Sequence, residues 1–386
     1  MTTIGTLLSG GECVGIGAKN AGLTHLWGFE IENDIAQVAR GNGFNVITAD
    51  VMGLDPHTLE VPDVLHASPV CKRASGANQS AELNEDGTKE APEDTEMGQK
   101  IAQFIDVMTP GIVTIENVYA YRNFKAFKMI CNALNRNGYM WDFDNLNAAD
   151  YGVPQTRRRL ILRAIRGSLL PNLPQPERWV GWYSAIEDLI PMLPESQFAP
   201  WQLARLPDEI KGALLVDSAG YPDESGARVA VTRIATEPIN TIVANYERRS
   251  MRAFIVDQNY GNSNASEDRV LSIRQSDAPM VTVTAGGPKR EYRSWLVDQV
   301  NSSTVTSRPD DEPALTVSVY SSKHQSPRTW LSQGRVVSMT PRALARFQSI
   351  PDDYRLPESK ALACKVIGNA VCPLLYQKII KPMIGE

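Results

Sequence analysis

The chain has 386 residues, of which 42% are hydrophobic and 22% charged, a composition typical of a globular protein with a sizeable core. This length favours one large domain accompanied by a second lobe. The net charge of −5 argues against a nucleic-acid partner, but the charge is unevenly distributed. Residues 1–110 carry 6 basic and 16 acidic side chains, whereas residues 228–346 carry 16 basic and 11 acidic ones. Because phosphate binding depends on the local electrostatic field and not on the net charge, the second half of the chain could bind a polyanion.

Several classes of protein are disfavoured by composition. No apolar run of about 18 residues is present, so a membrane span is not expected. The N-terminus lacks the basic start of a signal peptide. The four histidines have no metal-ligand spacing, and the five cysteines form no CxxC pair, so we expect neither a metal site nor a disulfide framework. This cysteine usage favours a reducing cytoplasm. The cysteines are Cys13, Cys71, Cys131, Cys364 and Cys372.

Residues 1–166 alternate short apolar runs with amphipathic stretches. The predicted strands are Ile4–Leu8, His25–Glu30, Asn45–Thr48, Val64–Ala67, Ile112–Glu116 and Leu160–Ala164. The predicted helices include Ile35–Arg40, Met97–Val107 and Phe124–Asn135. This alternation favours a parallel sheet in an α/β fold, in which ligands bind at the carboxyl ends of the strands.

From about residue 167 prolines become frequent, which marks a linker or an excursion from the first domain. A weak repeat follows, in which Leu214–Asp217, Phe254–Asp257 and Trp295–Asp298 have the sequences LLVD, FIVD and WLVD. Each repeat is expected to form two short strands joined by a polar loop. The repeats could be a scaffold without chemistry, or their loops could carry recognition residues. The basic residues in these loops are Arg248, Arg249, Lys289, Arg290 and Arg293. After about residue 335 a helical periodicity returns.

Cys71 follows the predicted strand Val64–Ala67, so we expect it at the carboxyl edge of the sheet. The adjacent Lys72 and Arg73 would favour its thiolate, which is the nucleophilic form. A lone cysteine is more often a small buried apolar residue, so position alone leaves both interpretations open.

Two further groups of polar residues follow predicted strands or begin them. Glu116 ends an apolar strand, where a protonated carboxyl could donate a hydrogen bond to a ring nitrogen; it could equally cap the next helix. In Arg157-Arg158-Arg159, alternation along a strand places Arg157 and Arg159 on one face and Arg158 on the other. With Gln155 nearby, that pair could bind a phosphate or a base carbonyl, or it could be solvated surface.

A glycine-rich turn over residues 9–17 separates the first strand from its helix, and such turns let a ligand approach the backbone. Glu30 ends the second strand, where an acid can accept both ribose hydroxyls, and Asp50 follows the third, where an acid can hold an adenine amino group. Together these features indicate an adenosine pocket. No GK[ST] sequence follows the turn, which argues against a triphosphate.

In this order the motifs resemble those of the cytosine-C5 DNA methyltransferases. The resemblance is carried by Leu7–Gly17, Ser68–Cys71, Glu116–Val118, Gln155–Arg159, Thr340–Asp352 and Gly368–Val371. It implies a Rossmann-like sheet with helices on both faces over residues 1–166. It also implies a smaller β-rich target-recognition domain over 167–335, and a C-terminal segment, 336–386, that returns to the catalytic domain.

The resemblance also implies a cofactor, S-adenosylmethionine, and a role for each motif. Cys71 would add to C6 of a flipped-out cytosine while Glu116 acts on N3, Arg159 and Arg157 hold the base and its phosphate, and Asn117 braces the nucleophile loop. The cofactor pocket would comprise Leu8, Gly10, Gly11, Cys13, Glu30, Ile31, Asp50, Val51, Pro69, Asn369 and Val371. The candidate DNA contacts are Lys72, Arg73, Ser75, Gln155, Arg248, Arg249, Lys289 and Arg290.

The chain departs from the family pattern at several positions. Val70 and Lys72 replace the usual Pro and Gln around the nucleophile, Glu12-Cys13 replaces Gly-Gly, and Cys372 replaces a proline. We expect activity to be retained. The stretch 82–96, at the expected catalytic loop, carries seven acidic residues and one lysine, which would repel phosphates.

Two alternatives remain beside a DNA methyltransferase. One is an RNA cytosine methyltransferase of the same fold, against which the roughly 169 residues of 167–335 argue. The other is a catalytically silent DNA-binding relative, against which the retained Cys71 and Glu116 argue. The expected partner is double-stranded DNA, with a cognate restriction endonuclease possible, and we expect a monomer because a base-flipping enzyme needs no dyad.

Overall fold

The computed structural model describes residues 1–69, 83–84, 87–196, 214–217, 231–234, 237–239, 251–256, 295–301, 304–309 and 334–385. The chain divides into two compact units. The first comprises residues 1–186, 236–248 and 341–386, and the second comprises 187–235 and 249–340. The assignment of residues 167–335 to target recognition stays a prediction.

The first unit alternates strands and helices. Its strands are β1 (Thr3–Leu7), β2 (Thr24–Glu30), β3 (Val46–Thr48), β4 (Val64–Ala67), β5 (Ile112–Asn117), β6 (Tyr139–Asn147) and β7 (Arg158–Arg166). Its helices are α1 (Cys13–Asn20), α2 (Asn33–Gly41), α3 (Pro92–Met108), α4 (Lys125–Arg136), α5 (Trp182–Ile186), α6 (Pro341–Phe347), α7 (Lys360–Asn369) and α8 (Pro373–Ile380). Each predicted strand and helix of residues 1–166 overlaps one of these elements. Strand β6 was missed because its sequence, YMWDFDNLN, carries acids and amides as well as aromatics.

All seven strands form one sheet with the order β3-β2-β1-β4-β5-β7-β6. Strands β1 to β5 are parallel, but β7 is antiparallel to both β5 and β6. The expectation of a parallel sheet is therefore confirmed for β1 to β5 and was wrong for Leu160–Ala164. The reason is that β6 and β7 are joined by only ten residues, 148–157, which are too few for a helical crossover. As a consequence, β7 begins at the edge of the sheet where β5 ends.

Two hydrophobic clusters lie on opposite faces of the sheet, because successive strand residues point to opposite sides. On β4, Val64 belongs to the cluster that includes α1 and α8, whereas Leu65 belongs to the cluster that includes α3 and α4. Ile112 and Val113 divide in the same way on β5. The Rossmann-like sheet with helices on both faces is thus confirmed.

The acidic stretch 82–96 contains two structural carboxylates, one just before α3 and one in its first turn. Glu90 is 7% exposed and accepts hydrogen bonds from the backbone N–H groups of Lys125 and Ala126, at the start of α4, at 2.6 and 2.8 Å. Asp94 accepts from the N–H of Ala91, at the start of α3, at 2.9 Å. Both acids thus cap a helix N-terminus, where negative charge is favourable. They account for part of an acidic composition that was unexplained from sequence.

The second unit contains six short strands in its described residues. They are β8 (Leu214–Asp217), β9 (Val231–Ile234), β10 (Met251–Val256), β11 (Trp295–Asn301), β12 (Thr304–Pro309) and β13 (Gly334–Ser338). One antiparallel sheet has the order β13-β10-β8-β9, and β11 pairs with β12 in another. The LLVD and WLVD segments lie within strands, as does the start of FIVD up to Val256.

Candidate active site

The carboxylate of Glu116 and the guanidinium of Arg159 form an ion pair at the edge of the sheet. Glu116 Oε1 lies 3.1 Å from Arg159 Nε, and both side chains are largely buried. The pair forms because antiparallel β7 begins beside the end of β5, with Leu160 opposite Asn117. Arg158 is exposed, as the alternation along the strand predicted. The sheet edge therefore presents a desolvated acid with a cation to orient it.

Asn117 connects this edge to the residues that precede the candidate nucleophile. Its Nδ2 donates to the carbonyl of Pro69 at 3.0 Å, and its Oδ1 accepts from the N–H of Val118 at 2.7 Å. Asn117 is 2% exposed, so both contacts are shielded from water. Residues 70–82, which include Cys71, Lys72, Arg73 and Ser75, lie outside the described residues.

A chain of hydrogen bonds also reaches Ser68, which follows β4. His66 Nε2 lies 2.8 Å from Ser68 Oγ, and its Nδ1 lies 2.8 Å from Thr114 Oγ1. Thr114 Oγ1 in turn lies 3.1 Å from the hydroxyl of Tyr376 on α8. Burial lowers the pKa of His66 to about 3, so the ring is neutral at physiological pH. A neutral ring donates through one nitrogen and accepts through the other, which suits a relay between two hydroxyls.

Of these residues only Ser68 lies in a predicted motif, and His66, Thr114 and Tyr376 were not among the predicted site residues. What relates these residues is strand register. His66 of β4 is paired with Thr114 of β5 on one side and with Thr6 of β1 on the other. Three polar residues at matching positions of buried strands indicate a polar row across the sheet. Register could not be read from strand positions in one sequence.

A second group of residues lies around the glycine-rich turn that follows β1. The carboxylate of Glu30, at the end of β2, accepts from the N–H of Gly10 and from that of Glu32, both at 2.9 Å. Gly10 has φ +56°, and a Cβ placed on it would meet no atom within 4 Å. Ile31 is 60% exposed beside Glu30, and Asp50 is exposed and accepts from the N–H of Met52. The turn therefore combines an open backbone, an anchored acid and an exposed apolar side chain.

The C-terminal segment contacts this turn and the start of β7. The hydroxyl of Tyr354 donates to the carbonyl of Gly11 at 2.6 Å, and Nη1 of Arg157 donates to the carbonyl of Gly368 at 3.2 Å. Asn369 is exposed at the end of α7. Cys372, which is fully buried, donates through Sγ to Gln348 Oε1 at 3.2 Å, and burial raises its pKa to about 11. The thiol therefore replaces a proline as a protonated core residue.

Other predicted site residues occupy less accessible positions. The residues that are only 3 to 5% exposed are Cys13, Val51, Arg157 and Val371. Gln155 is fully buried, and its side-chain amide has no hydrogen-bond partner within the described part of the chain. Leu8 is half-buried and has φ 57°. The predicted DNA contacts Arg248, Arg249, Lys289 and Arg290 lie outside the described residues.

Two negative findings apply to the described residues alone. In them, no group of three or more His, Cys, Asp and Glu side chains could hold a metal ion. None of the helices described is long and apolar enough to cross a membrane.

A Rossmann-like sheet with a glycine-rich turn after β1 and an acid at the end of β2 is an arrangement typical of nucleotide-binding α/β proteins. The profile of the C-5 cytosine-specific DNA methylase family matches residues 2–385. The chain belongs to this family, and the resemblance inferred from its motifs is confirmed.

Relatives of this chain include animal and bacterial enzymes. It is 30% identical over 182 residues to DNA (cytosine-5)-methyltransferase 1 of Gallus gallus, covering 42% of this chain and 12% of that protein. It is 28% identical over 175 residues to type II methyltransferase M.NaeI of Lentzea aerocolonigenes, covering 44% of this chain and 40% of that protein. The chain thus spans less than half the length of these two relatives. A putative type II methyltransferase of Oceanobacillus iheyensis is 24% identical, covering 98% of this chain and 94% of that one.

Solved structures share the fold over the full chain. The Entamoeba histolytica methyltransferase EhMeth superposes with a TM-score of 0.58 at 12% identity, covering 99% of each chain. A putative DNA modification methyltransferase encoded within an Escherichia coli prophage superposes with a TM-score of 0.56 at 14% identity, covering 100% of this chain and 99% of that one. At such identities the likeness concerns the fold.

Proposed function

We propose that this protein transfers a methyl group from S-adenosylmethionine to C5 of cytosine in double-stranded DNA, through a covalent adduct with Cys71. The observation that carries the proposal is the buried pair of Glu116 and Arg159, which lies beside the Asn117–Pro69 hydrogen bond that leads into the nucleophile segment. Family membership and the names of the relatives support the same activity.

The residues at the sheet edge would act on the cytosine ring. Cys71 would add to C6, which requires a base rotated out of the duplex because the ring must be reached from its face. Glu116 would donate a hydrogen bond or proton to N3, which drives electron density to C5. Arg159 would orient Glu116 and hold the base carbonyl. Once C5 has gained the methyl group, loss of the C5 proton and β-elimination of the Cys71 thiolate would restore the C5–C6 double bond and release the enzyme.

The glycine-rich turn fits an adenosine-containing cofactor. Each carboxylate oxygen of Glu30 accepts one backbone N–H, which leaves lone pairs for the two ribose hydroxyls. The open space at Gly10 admits a ligand to the backbone, and the exposed Ile31 offers an apolar surface for the adenine ring. Bound S-adenosylmethionine would supply the electrophilic methyl group.

The activity is tested by covalent trapping on a duplex that contains 5-fluorocytosine, whose C5 fluorine blocks the elimination. We expect an adduct with the wild type in the presence of cofactor and none with Cys71→Ser. Cys131→Ser is the matched control, because Cys131 is a buried core residue of α4, and this variant should still be trapped. Absence of an adduct with wild type on every duplex tested, or an adduct with Cys71→Ser, would contradict the proposal. Methyl transfer to tRNA but not to DNA would favour the RNA alternative.

We further propose that methylation is sequence-specific and that a cognate restriction endonuclease is a partner; the similarity to proteins named type II methyltransferases supports this proposal. Bisulfite sequencing of DNA from cells that express the chain is expected to show modified cytosines in one short sequence context. Modification spread over all contexts would rule out a sequence-specific enzyme.

A further inference from the structure

Glu12, in the turn between β1 and α1, is fully buried although it is an acid. The hydroxyl of Thr6 on β1 donates to Glu12 Oε1. His25 Nε2 on β2 lies 3.0 Å from the same oxygen. The side chain therefore joins the turn to both strands that flank it. The second oxygen, Oε2, is buried without a hydrogen-bond partner among the described residues.

The space for this carboxylate exists because two neighbouring residues are glycines. A Cβ on Gly28 would lie 2.2 Å from Glu12 Oε1, and a Cβ on Gly15 would lie 2.8 Å from Oε2. Both distances are too short for any side chain, so Glu12, Gly15 and Gly28 depend on one another. Burying an acid in this way is unfavourable unless hydrogen bonds and ion pairs compensate for the lost water, and Glu12 has such contacts only through Oε1 among the described residues.

The feature that Glu12 fixes is the conformation of the turn. Leu8, Gly10 and Glu12 have φ values of 57°, 56° and 58°, and this left-handed region is unfavourable for Leu and Glu. Strained backbone persists where surrounding contacts over-determine it. Here the N–H of Glu12 donates to the carbonyl of Ser9 at 3.1 Å, while the Glu12 side chain is held by β1 and β2.

We propose that Glu12 is a positioning residue for the cofactor, which holds the Leu8–Gly11 turn open through Thr6 and His25. This inference rests on the proposed function, since it assigns the turn to the methyl donor. Glu12 occupies a position where the family usually has glycine, so the buried anchor is a feature of this chain. It acts through the backbone of the turn and does not itself touch the ligand.

The test compares binding of S-adenosylhomocysteine by isothermal titration calorimetry in the full chain. The variants are Glu12→Gln, which keeps the shape and removes the charge, and Thr6→Val, which removes the hydroxyl at equal volume. We expect each variant to raise the dissociation constant for S-adenosylhomocysteine about fivefold or more. The kcat at saturating cofactor and the KM for DNA should stay near those of the wild type. Thr6→Ser, which restores the hydroxyl, should recover most of the affinity.

Glu90→Gln is the matched control, because Glu90 is also a buried acid but caps α4, and its cofactor affinity should be that of the wild type. Folded Thr6→Val or Glu12→Gln protein that binds within about twofold of wild type would overturn the inference, as would an equal loss in Glu90→Gln. If Glu12→Gln fails to fold, the two Thr6 variants decide. A wild-type protein that binds no cofactor would instead contradict the proposed function.

Discussion

Single buried polar residues carry most of the chemistry of this site. Glu116, Asn117 and His66 are each less than 10% exposed, and each contacts a partner from another element. Such contacts are strong because water does not compete with them, and removing one partner leaves the other unsatisfied. Substitutions that remove one group at constant volume therefore give interpretable effects.

Arg159→Met should lower kcat by about 100-fold, because a preorganised charged donor is lost beside the reacting ring. The measurement is steady-state transfer of labelled methyl groups to duplex DNA. Arg158→Met is the matched control, since Arg158 is exposed on the opposite face of β7, and its kcat should change little. A kcat within twofold of wild type for Arg159→Met would show that the guanidinium has no catalytic role.

The buried His66 should make stability depend on pH. In the folded protein its pKa is lowered to about 3, whereas an unfolded histidine titrates near pH 6.5, so between these values the unfolded state binds the additional proton. Stability is therefore complete above about pH 6.5 and is lost as the pH falls. This group should remove about 2 kcal/mol of unfolding free energy between pH 7 and pH 5.

Urea unfolding of wild type and His66→Gln at both pH values checks this expectation. The variant should be less stable at pH 7, because the Ser68 and Thr114 contacts change, but it should lose about 2 kcal/mol less on acidification. Equal losses in the two proteins would mean that His66 takes up a proton without unfolding.

At the level of elements, the direction of strand β7 decides whether Arg159 lies next to Glu116. If β7 ran parallel to β5, its first residues would lie at the opposite edge of the sheet, far from Glu116. The antiparallel pairing instead brings Arg159 to the edge where β1, β4 and β5 end. The glycine-rich turn and the acid–arginine pair thus share one edge, as ligand binding in open α/β sheets requires.

The packing of α3 on α4 gives a prediction at this scale. A Cβ on Gly98 of α3 would lie 2.4 Å from Cα of Ala126 on α4, so Gly98→Ala should lower the unfolding free energy by about 2 kcal/mol or more. Gly41 at the end of α2 has no atom within 4 Å of such a Cβ, and Gly41→Ala should be neutral or stabilising by up to about 1 kcal/mol. Urea denaturation of both variants tests the contrast, and equal effects would refute the close helix contact.

For the whole molecule, charge is separated along the chain. The acidic first 110 residues include the glycine-rich turn, whereas residues 228–346 carry the basic excess. Two acids of residues 82–96, Glu90 and Asp94, cap helix N-termini, where negative charge is favourable. The partition favours a phosphate-binding role for the second half.

DNA binding should therefore depend on salt through the basic loops. Arg248→Gln combined with Arg249→Gln is expected to reduce the slope of log affinity against log salt by about 1 to 2, because each lost phosphate contact removes about 0.9. Fluorescence anisotropy with a labelled duplex measures this slope. The control pair is Lys19→Gln with Lys381→Gln. Both lysines are exposed near the ends of α1 and α8, at the edge of the sheet opposite to Glu116 and Arg159. An unchanged slope for the Arg pair would exclude these residues from the DNA contact.

The sequence by itself determined the α/β class, six of the seven sheet strands, the family and the residue types of the site. These features are local, since hydrophobic periodicity and motif spacing act over a few residues. The tertiary structure decided the direction of β7, the Glu116–Arg159 pair, the His66 relay and the burial of Glu12. These depend on strand register and on glycine-sized spaces between elements distant in sequence, where a single position carries no local signal of its partner.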